Sequence, residues 1–507
     1  MKAIKITGLF LLFLSMAQLS CKKFDDLRKD PSAIINAAPK LVFTGILLNI
    51  VSSDGPWSTD QRNNQYMTQN DSYYTGQNYD WTTSPSNYNN YTYLQNVVRL
   101  ETEAQKNGAA GTPYLALAKF FRAYFFVNMT TMFGDIPMSE ALNGAASKVF
   151  TPKYDSQHDV YMQCLKLLDD ANTQLASLIK SNATVEGDFF YSGDLSKWQK
   201  LVNSFRLRVL ISLSKRANDN PDLNIKQQFT SIISNPAQYP LILTNADNFQ
   251  LVYNTSDVSN NYPLWPSNGV VLYKDVRNTF GATYVNIIQK TKDPRIFVVA
   301  LPTDSAKASG DPNYATEFTS FRGGRTGDLQ STLKNQSVAG LLSQINFYYW
   351  EAGPAGIPFV ELGASETNFN IAEAINRGWV SGDAATYYNQ GISESIKFYG
   401  ITNTTTINDF TTQNAYAGNT SAGLTQILEQ KYVAFFENSG REAYYNFRRT
   451  GVPKFDIGPS NANSNTIPTR WAYPVGEYTT NTVNVKAAIQ SQFSGADTQN
   501  GVTWQIK

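Results

Sequence analysis

The stretch YLALAKFFRAYFFVNMTTMFGDIP, residues 114–137, decides the fold of this chain. Residues with helical spacing share one face of it, namely Leu117, Phe121, Tyr124, Asn128 and Met132. Thr112 and Pro113 favour a helix start, and Gly134 and Pro137 favour its end. Because aromatic residues extend beyond one apolar stripe, we expect other helices to cover this one.

The charge balance argues against a nucleic-acid partner. The 507 residues include 42 Lys and Arg against 41 Asp and Glu, a net charge of +1, so the chain lacks a basic footprint. Charged residues make up only 16%, against about 25% in typical domains. Asn, Gln, Ser, Thr and 29 Tyr supply the polarity instead. This mixture suits uncharged polar ligands or large contact surfaces, and it equally suits a surface protein without a ligand.

The N-terminus has the pattern of a bacterial lipoprotein signal peptide. Two lysines precede a short apolar segment, residues 6–16, which is too short to span a membrane as a mature helix. Ser20 and Cys21 at its end resemble a lipobox, so we expect cleavage before Cys21 and lipidation of its thiol. The acyl chains would then anchor the protein to the membrane.

The remaining cysteine and the single histidine limit the chemistry. With Cys21 lipidated, Cys164 has no partner for a disulfide, and its place in an apolar stripe predicts a buried structural thiol. His158 is the only histidine, which excludes a multi-histidine zinc site. Because Asp and Glu cluster in no loop, nothing indicates the paired carboxylates of a glycosidase. We therefore predict no catalytic residue, no metal and no cofactor.

The helical pattern divides around a loop-rich middle. We predict a signal peptide at 1–20 and a single domain at 21–507, with a helical scaffold at about 33–235 and 359–450. Short loops between amphipathic helices favour stacked hairpins, although the strict tetratricopeptide signature is missing. The insertion at about 236–358 contains one predicted helix, residues 276–291. The other predicted helices are residues 33–52, 91–106, 156–179, 194–216, 365–377, 381–399, 423–436 and, in the tail, 483–490.

Aromatic residues in two loop segments are the candidate ligand contacts, because rigid rings cover a ligand at low entropy cost. They are Tyr73, Tyr74, Tyr79, Trp81, Tyr262 and Trp265. We expect them to converge on one open surface. The alternative for each ring is a place in the small core of its own loop, and for Trp81 a rigid anchor before the next helix. Trp57 and the cluster at 348–350 are the next candidates.

Six segments together resemble the SusD/RagB family of outer-membrane nutrient-binding lipoproteins, and most closely its second SusD-like subgroup. They occur in the family's order and, with the lipobox, cover essentially the mature chain. The segments are residues 114–137, 193–214 (GDLSKWQKLVNSFRLRVLISLS), 290–296 (KTKDPRI), 366–400, 431–455 and 473–481 (YPVGEYTTN). Within them, Asp293 and Arg295 favour a local ion pair, and Arg448 and Arg449 are expected to meet acidic partners in structural roles.

The resemblance implies a mainly α fold, a tetratricopeptide-like helical hairpin scaffold with a loop-rich, irregular ligand-facing insertion. It also implies a cell-surface, lipid-anchored position on the outer membrane and a SusC-type TonB-dependent barrel transporter as partner. The implied function is non-catalytic capture of oligosaccharides and their delivery to that transporter. Peptide cargo is one alternative, and a carbohydrate-active hydrolase on a helical scaffold is another.

Overall fold

The computed structural model describes residues 37–53, 57–70, 77–83, 86–263, 265, 278–350 and 352–507. The predicted signal peptide and Cys21 lie outside these residues. Within the described ranges, no helix is both long enough and apolar enough to cross a membrane. The structure is mostly helical, as predicted, with only short strands among the described residues.

Helices of nine or more residues are numbered here in chain order. They are α1 (Pro39–Ser53), α2 (Asn89–Lys106), α3 (Thr112–Phe133), α4 (Gln157–Lys180), α5 (Leu195–Ser212), α6 (Ile225–Ser234), α7 (Ala282–Thr291), α8 (Gln330–Val338), α9 (Ala364–Asn376), α10 (Ala384–Phe398), α11 (Thr404–Gln413), α12 (Ser421–Ala434), α13 (Glu442–Thr450) and α14 (Thr482–Phe493). Shorter α-helical turns are Thr59–Asn63, Gly144–Ser147, Ile296–Val299, Asp304–Lys307, Phe347–Trp350 and Glu477–Thr480.

Helix α3 is the centre of the scaffold. Pro113 stands in its first turn, and Gly134 ends it with a φ of +96°, a value that glycine reaches without strain. Its buried residues surround the helix, as the width of its aromatic pattern predicts. The ring of Phe121 packs edge-on against Trp198 of α5, with centroids 5.7 Å apart. Helices α1 to α5 pack one on the next in chain order, which makes the predicted hairpin stack.

The link between α3 and α4 is fixed by two helix-start bonds. The hydroxyl of Ser156 accepts the Asp159 backbone N–H at 3.1 Å, which caps α4. The carboxylate of Asp135, in the turn after α3, accepts the Gln157 N–H at 2.8 Å. Further along α4, Cys164 is fully buried, which confirms the predicted structural thiol, and burial raises its pKa.

The second half of the scaffold is built on α9, which packs against α10, α12 and α5. Its predicted polar motifs have the expected structural partners. Arg449 binds the buried carboxylate of Glu373 at 2.5 and 2.9 Å. Asp293 and Arg295 form a fully buried pair at 2.5 Å. The sequence pattern missed α6, α8, α11 and α13. Helix α11 shows why: it is rich in Thr, a weak helix former, and depends on the Asn403 side chain, which caps it at 2.9 Å.

Short strands fasten the insertion to the scaffold. Strand β1 (Met67–Gln69) pairs antiparallel with β3 (Asn278–Phe280), and β2 (Phe249–Leu251) pairs antiparallel with β4 (Phe359–Leu362). Because β3 occupies the start of the predicted helix at 276–291, helix α7 begins only at Ala282. Each pair joins the insertion, residues 236–358, to a segment outside it.

Candidate ligand-binding site

The two described members of the first predicted aromatic group, Tyr79 and Trp81, lie in the core. Tyr73 and Tyr74 are outside the described residues. Tyr79 is 3% exposed; its hydroxyl donates to the Asp456 carbonyl and accepts from the Gln65 amide. Burial raises the pKa of this phenol well above its usual range. The prediction that Tyr79 belongs to an open surface is wrong, because its ring is buried and its hydroxyl already makes hydrogen bonds inside the protein.

Trp81 is an anchor, as its alternative interpretation proposed. Its ring stacks on Trp471 at 4.5 Å and meets Tyr444 edge-on at 5.3 Å. The backbone N–H of Trp81 donates to the Gln499 side chain at 3.0 Å. These contacts tie the segment before α2 to the C-terminal loops. The ring is buried, so the prediction that Trp81 belongs to an open surface is wrong.

The second predicted group also fills a loop core. Tyr262 is buried, and its hydroxyl accepts the Trp57 indole N–H at 2.6 Å. Tyr253 packs edge-on against it at 5.2 Å. The Trp265 backbone N–H donates to the Tyr262 carbonyl at 2.8 Å, and the half-buried Trp265 ring packs against the core. The prediction of an open aromatic surface is therefore wrong for Tyr262, since its ring is buried in the hydrophobic core and its hydroxyl is bonded to Trp57.

The reserve candidates divide between core and surface. Trp57 packs edge-on against Trp350 at 5.0 Å, and Trp350 is buried, with its indole N–H donating to the Val299 carbonyl at 2.9 Å. Tyr348 is the exposed member of the 348–350 cluster. The predicted rings thus contact different partners and do not form one platform among the described residues.

An open cleft of about 640 Å³ lies among the described residues. It lies between α7, α12 and the loop that follows α13, a volume within the range of small-molecule sites. Two other cavities, of about 30 and 20 Å³, have room for about one or two waters and no oligosaccharide. The cleft is lined by Ala282, Thr283, Asn286, Ile287, Lys290, Arg325, Glu429, Pro453, Lys454, Phe455, Asp456, Ile457, Gly458 and Pro459.

Two glycines build one wall of the cleft. Gly327 and Gly458 have φ values of +84° and +71° and bring two loops into backbone contact. A Cβ added at Gly458 would lie 2.4 Å from the Thr326 carbonyl oxygen, and one added at Gly327 would lie 2.5 Å from that of Ile457. The Ser460 N–H donates to the Gly327 carbonyl at 2.9 Å. Only glycine fits both positions, so these two residues allow the loops to meet backbone to backbone.

Asp456 is held from both sides. The buried Gln65 amide accepts its backbone N–H at 2.9 Å and donates to its carbonyl at 2.8 Å. Its carboxylate receives the Arg325 guanidinium through Nε and Nη2 at 2.8 and 2.9 Å, and the Gly458 N–H at 3.0 Å. The bonded Arg325 lowers the pKa of Asp456, so this carboxyl stays ionised and is a poor proton donor.

A second ion pair lies across the cleft. Lys290 of α7 contacts both carboxylate oxygens of Glu429 on α12, at 2.8 and 2.7 Å. The cation is the exposed partner in both pairs: Lys290 is 61% exposed against 15% for Glu429, and Arg325 is 54% exposed against 26% for Asp456. Lys454 is a third exposed cation, on the loop itself. A ligand entering the cleft therefore meets ammonium and guanidinium groups before carboxylates.

The apolar part of the wall is aliphatic. Ile457 is 40% exposed, whereas the one aromatic lining residue, Phe455, is 3% exposed and stacks on Phe447 at 4.1 Å. Within the described ranges, no group of three or more His, Cys, Asp or Glu side chains could hold a metal ion. The cleft can bind through ion pairs, backbone groups and aliphatic contact.

These residues were not predicted as a site. Lys290 begins one family-like segment, inside the predicted insertion, and Phe455 ends another, just beyond the predicted scaffold; neither residue is among the predicted ligand contacts. The sequence signal for this loop is a group of helix-ending and turn-forming residues. Gly451 ends α13 with a φ of +75°, and Pro453, Gly458 and Pro459 follow within eight residues. Such a loop directly after an amphipathic helix favours a rigid surface feature.

A helical-hairpin scaffold that presents a ligand-sized cleft among its loops is typical of a class of binding proteins. The chain belongs to the second SusD-like family, whose model matches residues 29–474 and is described as starch-binding and associating with the outer membrane. It is a nutrient-binding family, and the family description implies association with the outer membrane.

Solved structures agree with the family. A SusD homologue from Bacteroides fragilis is 32% identical, with a TM-score of 0.79, over 93% of this chain and 100% of that chain. Another SusD homologue from the same species is 28% identical, with a TM-score of 0.82 and the same coverage. A chitin-binding protein is 26% identical, with a TM-score of 0.73, over 92% of this chain and 99% of that chain. No curated protein matches the chain.

Proposed function

We propose that this protein is a non-catalytic, cell-surface lipoprotein that captures oligosaccharides and delivers them to a SusC-type TonB-dependent transporter in the outer membrane. The observation that carries the proposal is the 640 Å³ cleft at the loop-rich side of a family scaffold. Its volume accommodates a short oligosaccharide. The starch-binding description of the family and the chitin-binding relative support a glycan as cargo.

The geometry of the cleft also supports binding over hydrolysis. Glycosidases pair one carboxylic acid with one carboxylate around the scissile bond. Here Asp456 and Glu429 each bind a cation, and Arg325 keeps the pKa of Asp456 low. Asp456 therefore does not supply the protonated carboxylic acid that a glycosidase needs at neutral pH.

The proposal is tested by incubating the purified protein with starch-derived and chitin-derived oligosaccharides and with pooled plant and animal glycans. We expect retention of at least one glycan class on immobilised protein and no release of reducing ends during prolonged incubation. New reducing ends would establish the hydrolase instead. Retention of peptides from a digest, with no glycan retained, would establish the peptide-cargo alternative.

The anchor and the partner belong to the same proposal. Acylation of Cys21 is measured by mass spectrometry of the N-terminal peptide of protein isolated from the native outer membrane. We expect a mature N-terminus at Cys21 with added acyl mass, and co-purification of a TonB-dependent barrel after mild detergent extraction. An unmodified Cys21 within an uncleaved chain would refute the lipoprotein assignment.

A further inference from the structure

The charges of the cleft are unbalanced. Its lining includes three cations, Lys290, Arg325 and Lys454, and two carboxylates, Glu429 and Asp456. The chain as a whole has almost equal numbers of both signs. Two of the cations are committed to the two carboxylates, which leaves Lys454 without an ion pair among the described residues.

The surface of the cleft is more positive than the ratio of three cations to two carboxylates indicates, because the cations are the more exposed partners. Glu429 and Asp456 lie beneath the cations that bind them, at 15% and 26% exposure. Arg325 uses two of its five N–H donors on Asp456, so its remaining donors are free to meet a ligand. A carboxylate or sulfate arriving at this face would gain charge-assisted hydrogen bonds without displacing either acid.

The cleft offers little for a neutral sugar. Neutral pyranoses are recognised by stacking on open aromatic faces, and the only ring in this lining, Phe455, is covered by Phe447. Ile457 and Ile287 give a narrow aliphatic wall that suits the C–H edge of a sugar ring. Selectivity in this cleft must therefore come from charge.

We propose that the cleft between α7, α12 and residues 453–459 binds acidic oligosaccharides, with Lys454 and the outer edge of Arg325 contacting a carboxylate or sulfate. This inference rests on the proposed function, because it assigns a class to the captured glycan. The anionic group is either a uronate carboxylate or a sulfate ester, and both offer the same chemistry to a guanidinium and an ammonium.

The experiment is calorimetric titration of the purified protein with three tetrasaccharides at low salt. The probes are tetragalacturonate, which has carboxylates only, a carrageenan tetrasaccharide, which has sulfates only, and neutral galactotetraose. We expect one or both acidic probes to bind at least about tenfold more tightly than the neutral one, as expected for charge-assisted bonds. Their affinity should fall as salt shortens the screening length.

Single substitutions locate the binding. Lys454→Gln removes an exposed charge without disturbing an ion pair, and we expect it to weaken acidic binding about tenfold. Arg325→Gln should weaken it by at least as much. The matched control is Lys180→Gln. Lys180 is an exposed lysine on α4, a helix that contributes no residue to the cleft, so this variant should bind the acidic probes as tightly as the wild type. Melting curves of all three variants verify that each is folded.

Every other result overturns the inference. Equal or tighter binding of galactotetraose would refute acidic selectivity while the proposed nutrient capture stands. Acidic binding that survives both cleft substitutions would place the site elsewhere. Tighter binding of hexaglutamate than of both acidic glycans would assign the cleft to peptides. Failure of all three tetrasaccharides, together with failure of the glycan pools, would refute the proposed function as well.

Discussion

The ion pair between Glu373 of α9 and Arg449 and the ion pairs of the cleft use the same kinds of charged groups, but the first is buried and the others are exposed to solvent. Glu373 of α9 is fully buried and binds Arg449, which is also buried. Lys290 and Glu429 in the cleft bind each other at a similar distance, yet the lysine is largely in solvent. Burial, and not the type of pair, separates the part of the molecule that holds the fold from the part that can meet a ligand.

The difference in burial changes what each pair can do. Burial alone would raise the pKa of Glu373, but the Arg449 and Arg377 guanidinium groups lower it to about 2. A charge in this setting must keep its partner, since a lone buried charge is strongly destabilising. Pairs in solvent contribute little to stability and exchange partners easily. Buried pairs therefore supply rigidity, and the solvated pairs of the cleft supply replaceable contacts.

Removing Arg449 should produce the largest effect. Arg449→Ala leaves the Glu373 carboxylate buried with the half-buried Arg377 bonded to it and the buried Lys431 nearby, and it removes bonds to Asn446 and Ser214 at 2.8 and 2.9 Å. We expect a loss of about 3–5 kcal/mol in the free energy of unfolding. Urea unfolding followed by tryptophan fluorescence measures it.

The matched control is Lys166→Ala, which breaks an exposed pair with Asp170 on α4. We expect the unfolding curve of this variant to overlay that of the wild type, because an exposed pair contributes little to stability. A double variant, Arg449→Ala with Glu373→Gln, should recover part of the loss, because the buried charge is then gone. Equal losses in the Arg449 and Lys166 variants would contradict the division between buried and exposed pairs.

Glu437 sharpens the comparison, because it is a buried carboxyl that has no ion pair among the described residues. One oxygen accepts the Trp57 backbone N–H at 2.5 Å, and the other has no hydrogen-bond partner. Burial raises its pKa to about 8, against about 2 for Glu373 beside its arginines. Two equally buried glutamates thus differ in charge at neutral pH because only one has cations next to it.

Glu437 should make stability fall with rising pH. The folded state keeps this proton up to about pH 8, whereas the unfolded chain releases it at its ordinary value of 4.5. Between these two values the folded state binds more protons, so stability decreases by up to about 1.4 kcal/mol per pH unit. Glu437→Gln mimics the protonated side chain and should reduce this slope.

The measurement is urea unfolding of the wild type and Glu437→Gln between about pH 5 and pH 8.5, the window set by the pKa of Glu437. Glu394→Gln is the control, since that carboxylate is paired with Lys397 and bonded to the Asn245 N–H. Parallel pH profiles for the wild type and the Glu437 variant would show that this carboxyl is ionised in the folded protein.

The scaffold was predictable because its signals are local. The spacing of Leu117, Phe121 and Tyr124 defines a helical face within a few turns, and Gly134 marks its end. The sequence indicates that arginines in the scaffold meet acidic partners, but it does not say which ones. Arg208 binds Glu366 across 158 residues, and Arg449 binds Glu373 across 76 residues.

The site was less predictable, for two physical reasons. Aromatic residues in polar loops suggest open platforms, yet Tyr79, Trp81 and Tyr262 are buried because each loop needs apolar area to hold its shape. The cleft depends on long-range contact: Arg325 reaches Asp456 across 131 residues, brought there by the glycine contact between their loops. No local pattern reports such a meeting.

Lys290→Gln should give the smallest effect and the finest test of the comparison. The pair joins α7 to α12 and contacts both oxygens of Glu429, so its geometry is as good as that of a buried pair. If geometry decided stability, the variant would lose several kcal/mol. Because Lys290 is solvated, we expect a loss below about 1 kcal/mol in the free energy of unfolding.

The difference between the Lys290 variant and the wild type should vanish at high salt, which screens exposed charges but leaves buried ones largely unaffected. Unfolding at low and high salt, run beside Arg449→Ala, measures both effects; a salt-independent loss of more than about 2 kcal/mol would make this cleft pair part of the scaffold.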